Sequence, residues 1–81
     1  MSKLHIDAAK NNALLDEIIQ CLKLKNDAAL SRRLAVNPPV ISKIRAGVLP
    51  FGFVLIISAH EETGWPIADI KKKIGFVKGG V

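Results

Sequence analysis

Two consecutive prolines, Pro38 and Pro39, follow Asn37 near the middle of the 81-residue chain. Proline lacks the N–H that a helix interior needs, but its fixed φ suits the first turn, where N–H groups have no intrahelical partner. The pair therefore ends one helix upstream and starts another at about residue 38. Upstream, Lys25-Asn26-Asp27 is a polar break that supplies a cap, and residues 28–34 put Leu30 and Leu34 four apart on one face. Downstream, residues 38–46 set Val40, Ile41 and Ile44 against Ser42, Lys43 and Arg45, and Gly47 supplies the stop. Two short helices joined by the turn Ala35-Val36-Asn37 cross at a steep angle, which projects the second one outward.

The same reading extends to both sides. Asn11 or Asn12 is expected to cap a first helix in which Leu14, Leu15, Ile18, Ile19 and Leu22 share a face. Asp16, Glu17 and Lys23 fall elsewhere on the wheel and read as solvated, and Cys21 reads as a small, partly buried filler. Residues 51–62 carry Phe53, Val54, Leu55, Ile56, Ile57 and Ala59 with few polar residues, which predicts a central helix buried on several sides and ended by Gly64. Pro66 opens a fifth helix with Ile67, Ile70 and Ile74 at helical spacing. Lys71, Lys72 and Lys73 load its last turn before Gly75, where positive charge on a solvated face complements the dipole. The expected fold class is all-α, a compact bundle over residues 11–75 with an N-terminal arm at 1–10 and a tail at 76–81.

Length and charge narrow the function. A chain of 81 residues makes one domain with a thin core, which excludes a two-domain enzyme. Twelve Lys and Arg against seven Asp and Glu give +5, and residues 28–60 hold Arg32, Arg33, Lys43 and Arg45 with no carboxylate. That predicts a basic surface for a polyanion, nucleic acid most commonly, with membrane surfaces and acidic proteins as the alternatives. The lone Cys21 has no internal disulfide partner and residues 1–10 lack the apolar core of a signal peptide, so a reducing cytoplasm is expected. The apolar stretch 48–59 is interrupted by Pro50 and Gly52 and falls short of the roughly 18 residues of a membrane span. No membrane partner is expected.

The run from Asp27 to Gly47, DAALSRRLAVNPPVISKIRAG, resembles the Cro-type, lambda-repressor-like helix-turn-helix regulators, which share its frame of Leu, Val, Ile, Ser, Ile and Gly. The resemblance covers about fifty residues, 26–75, because the segment from Glu62 to Ile70, ETGWPIADI, also looks like the closing helices of such domains. It implies a five-helix lambda-repressor-like domain that binds double-stranded DNA. Leu30, Leu34, Val36, Ile41 and Ile44 match its structural positions. Asn37, Pro38, Pro39, Ser42 and Lys43 match the start and exposed face of the recognition helix, which reads base edges in the major groove. Arg33, Arg45 and the backbone N–H groups after Gly47 would contact phosphate, setting register without reading sequence.

The chain departs from that pattern at several points. Ala35 stands where a glycine is common, Ser31 replaces a usual alanine, and Pro38 and Pro39 replace residues that often make bidentate hydrogen bonds to bases. Prolines can still press on a thymine methyl, so base discrimination would fall to Ser42, Lys43 and Asn37. Arg45 stands where the family often has a glutamate paired with an arginine on the facing helix, so that internal pair is expected to be missing and the charge free for DNA. The resemblance also implies a homodimer on a palindromic operator with half-sites about 34–36 Å apart. Trp65, Phe76, Val77 and Val81 are candidates for the self-contact, with Trp65 equally readable as a lid over Ile67 and Ile70.

Catalysis has little support. His5 and His60 have no carboxylate or cysteine at metal spacing, and the adjacent Glu61 and Glu62 point to different sides of a helix. No cofactor or metal is expected. The expected function is a small transcriptional regulator, a repressor acting by occlusion. The alternative is a protein-interaction module, such as an antitoxin, that keeps the scaffold for a toxin partner.

Overall fold

A computed structural model of the protein describes residues 7–75. Residues 1–6 of the expected arm and the expected tail 76–81, with His5, Phe76, Val77 and Val81, lie outside that range. The described chain is all-helical: α1 (Ala8–Leu22), α2 (Asp27–Arg33), α3 (Pro38–Arg45), α4 (Phe53–Thr63) and α5 (Ile67–Lys73). None of these helices is long and apolar enough to cross a membrane.

Helix α1 begins earlier than its asparagines suggest. Asp7 is the N-cap, its carboxylate accepting from the Lys10 N–H at 3.0 Å, so Ala8, Ala9 and Lys10 become the first turn. Asn11 is buried instead, and Asn12 serves a contact between helices. Leu14, Leu15 and Ile18 are fully buried, and α1 packs against all four other helices. The central helix is therefore α1, with the pairs α2–α3 and α4–α5 laid on it.

The core also takes Leu30, Leu34, Ile41, Ile44, Leu55, Ile56, Ala59 and Ile70, together with Phe51 just ahead of α4. Helix α4 is not buried on several sides. Leu55, Ile56 and Ala59 face inward, whereas Phe53, Val54 and Ile57 are exposed at 61%, 71% and 49%. The expectation failed because an apolar run carries no information about which face finds a partner once Phe51 has filled its part of the core. Cys21 is likewise exposed and fills nothing.

The α2–α3 turn sets the direction of α3. Asn26 caps α2 through the Ala29 N–H at 2.9 Å. At the other end the Val36 N–H donates to the Ser31 carbonyl at 2.9 Å and the Ala35 N–H to Arg32 at 3.2 Å, with Ala35 left-handed at φ 58. These are the two bonds of a Schellman motif. Ser31, fully buried, satisfies its hydroxyl on the Ala28 carbonyl at 2.8 Å. Asn37 is extended, as a residue before proline must be, and Pro38 begins α3.

Candidate nucleic-acid interface

A helix turns by about 100° per residue, so α3 has four distinguishable sides. Ile41 and Ile44 face the core and are buried. Opposite them, Pro38, Pro39, Ser42 and Lys43 are exposed, and Asn37 is exposed at the helix start with no capping bond from its side chain. All five residues expected to form the base-reading face are thus brought together on one accessible surface. Arg45 lies on one flank of that face and Val40 on the other.

The Arg45 flank is polar and closed. Arg45 donates to Asp27 from Nε at 3.1 Å and from Nη2 at 2.9 Å, a bidentate pair. Nη2 also meets Asp16 Oδ1 at 2.8 Å, and Nη1 reaches Asn12 Oδ1 at 2.9 Å and the Asn12 carbonyl at 3.3 Å. In return the Asn12 amide donates to the Arg45 carbonyl at 3.0 Å and to the Ala8 carbonyl at 2.9 Å. The Asp27 hydrogen bond, aided by Asp16, raises the Arg45 pKa above its ordinary value, against an opposing effect of burial.

That network corrects one expectation. The internal ion pair of α3 is present, with the arginine on α3 and the carboxylates on α1 and α2. Arg45 is engaged within the domain and not left free for phosphate. Asp16 and Asn12 stand four apart on α1 and so share a face, the one signal that linked them in sequence. Nothing local pointed from either to a residue about thirty positions away.

Two further phosphate candidates are also engaged. Arg33 Nε meets Glu62 Oε1 at 2.6 Å, an exposed pair that water and salt screen. The N–H groups of Gly47, Val48 and Leu49 donate to Ile44 at 3.1 Å and to Lys43 at 2.9 and 3.2 Å, so they already satisfy helix carbonyls. Gly47 has a structural reason to be glycine: its φ is 78, and a Cβ there would sit 3.2 Å from Ala8 Cβ. Lys43 and Arg32 are exposed and make no ion pair among the described residues. The basic surface around α3 is accordingly narrower than the sequence implies.

The Val40 flank is apolar. It opens on a groove of about 350 Å³ whose walls include Val36, Val40, Leu49, Pro50, Phe53 and Val54. Trp65 packs half-buried against the core with Lys73 Nζ 5.5 Å from its ring centre. His60 Nδ1 donates to the Trp65 carbonyl at 2.7 Å, which gives that histidine a structural task. Lys73 also pairs with Glu17 at 2.8 Å and Lys71 lies 5.9 Å over the Phe53 ring, so these two lysines are built into the surface packing and are not simply solvated. Among the described residues no cluster of His, Cys, Asp and Glu could hold a metal ion. Compared with known proteins, the chain matches no family model, no curated protein and no solved structure.

Proposed function

We propose that the protein is a helix-turn-helix regulator that binds double-stranded DNA sequence-specifically, with α3 in the major groove. The observation that carries this reading is the division of α3: Ile41 and Ile44 are buried while Asn37, Pro38, Pro39, Ser42 and Lys43 form one exposed face after a tight turn. Ser42, Lys43 and Asn37 supply the hydrogen bonds to base edges, and Pro38 and Pro39 press on thymine methyls. Lys43 and Arg32 are the available cations on α2 and α3, and Arg33 can exchange its exposed glutamate for a phosphate. As a twofold dimer on a palindromic operator, the protein would act by occluding a promoter.

The reading is tested by fluorescence anisotropy with labelled duplexes, one from upstream of the protein's own gene and one of random sequence, over a range of salt. Selective binding that weakens log-linearly with salt supports it. If only the cations of α2 and α3 meet phosphate, the slope should be shallow, about −2 to −3 per domain at ~0.9 per phosphate contact. Absence of binding even at low salt overturns it.

A second reading, a module that binds another protein, draws on the apolar Val40 flank and the exposed Phe53, Val54 and Ile57. DNA offers little to such a surface, whereas a protein partner would cover it.

A further inference from the structure

Four exposed residues of α4 fall in one stripe: Phe53 and Val54, then Ile57, then Glu61. At exposures of 61%, 71% and 49% the three apolar members, with the walls of the adjoining groove, present roughly 400 Å² of apolar surface. A standard interface buries about 800 Å² per partner, of which somewhat more than half is apolar, so this one face supplies about the apolar share of one side.

The stripe is also arranged for self-pairing. Phe53 and Glu61 stand one helical turn on either side of Ile57. A twofold axis through Ile57 therefore brings the Glu61 of one copy over the Phe53 end of the other. Lys71 marks that end, its Nζ 5.9 Å from the Phe53 ring centre. Glu61 makes no ion pair among the described residues. Apolar surface meets apolar surface at the centre, and a carboxylate meets an ammonium at each edge.

We infer that this face docks a second copy of the chain, the two α4 helices running antiparallel about an axis near Ile57. The contact is isologous, which closes the assembly at two copies. It stands on α4 alone and holds whether or not α3 reads DNA.

The test is sedimentation equilibrium of the full chain without DNA, over a wide concentration range. A reversible monomer–dimer equilibrium is expected. Ile57→Glu and Val54→Lys should each leave a monomer, with the far-UV circular dichroism unchanged because both positions are exposed. Glu61→Lys should raise the dimer Kd by about tenfold or more, an effect that shrinks at high salt. Val48→Glu, an exposed position on the α3–α4 loop outside the groove walls, should leave the dimer intact. A wild-type chain that stays monomeric at every concentration overturns the inference and assigns the face to a foreign protein. A dimer that survives both Ile57→Glu and Val54→Lys overturns it as well. A chain that stays monomeric would also remove the twofold dimer from the proposed function, whereas contact of α3 with DNA is decided separately by the anisotropy experiment.

Discussion

Arg45 at the end of α3 grips both carboxylate oxygens of Asp27 at the start of α2, at 3.1 and 2.9 Å. With Asp16 and Asn12 joining from α1, one guanidinium ties three helices and fixes the angle at which α3 leaves the bundle. Removing it should cost stability without removing apolar burial. Arg45→Ala is expected to destabilise the domain by about 1–3 kcal/mol, the range for charge-assisted hydrogen bonds with their partners left behind. Arg45→Lys should recover only part of this, since an ammonium cannot reproduce the planar fork. Urea unfolding of the two variants decides it. Equal stability of Arg45→Ala and wild type would mean that the network is only a surface arrangement.

A positioning role for Arg45 predicts a particular signature in DNA binding. Loss of a phosphate contact lowers affinity and flattens the salt dependence by about one, whereas loss of a support lowers affinity with the slope unchanged. On the proposed function, Arg45→Ala should weaken binding with the slope of wild type. A slope that falls by about one would restore Arg45 to the phosphate contacts.

The α2–α3 turn holds a removable strain. Ala35 is exposed and left-handed, at φ 58, the position that a Schellman motif usually gives to glycine. Ala35→Gly should therefore stabilise the protein by about 1 kcal/mol, which for a domain of this size raises Tm by roughly 4–8 °C. A thermal melt measures it directly. An unchanged or lower Tm would mean that the extra freedom of glycine in the unfolded chain cancels the relief.

Gly47 makes the complementary case. Gly47→Ala meets both a left-handed φ and a Cβ 3.2 Å from Ala8 Cβ, and a loss of about 1–2 kcal/mol is expected. Shaving the neighbour separates the two causes: in an Ala8→Gly background the steric part disappears and the conformational part stays. A double-mutant cycle with no coupling between positions 8 and 47 would remove the close approach of the α3–α4 loop to α1 as a cause.

What the sequence reveals of this protein follows from which interactions are local. Asn26, Pro38, Gly47, Gly64 and Gly75 each act within a turn of their own position, so all five helices and most of their ends are readable. The first cap was misplaced because Asp7 and the two asparagines are equally good caps, and Ala8, Ala9 and Lys10 extend the helix without adding to its apolar pattern. The exposed face of α4 was unreadable for a different reason, since hydrophobicity records what a residue prefers and not what is available to cover it. Of the candidate interface, the Asn37-to-Lys43 face follows from the period of α3. The fate of Arg45 depended on carboxylates brought in from α1 and α2 by tertiary packing.

The face itself separates base reading from positioning. Lys43 is exposed and free of ion pairs among the described residues, so it can serve either a base edge or a phosphate, while Pro39 has no donor at all. On the proposed function, Lys43→Ala should weaken specific binding by about 1–3 kcal/mol and relax the preference at one base pair. Were Lys43 a phosphate contact, the loss would be the same on operator and random DNA and the salt slope would drop by about one. Pro39→Gln gives the opposite experiment. It restores an amide where this chain has only a ring, and glutamine pairs bidentately with adenine, so the variant should gain preference for an A·T pair at a single position. Selection of bound duplexes from a randomised pool reads both changes at once. If neither substitution moves the preference at any position, α3 does not lie in the major groove, and the exposed face of this helix belongs to a protein partner.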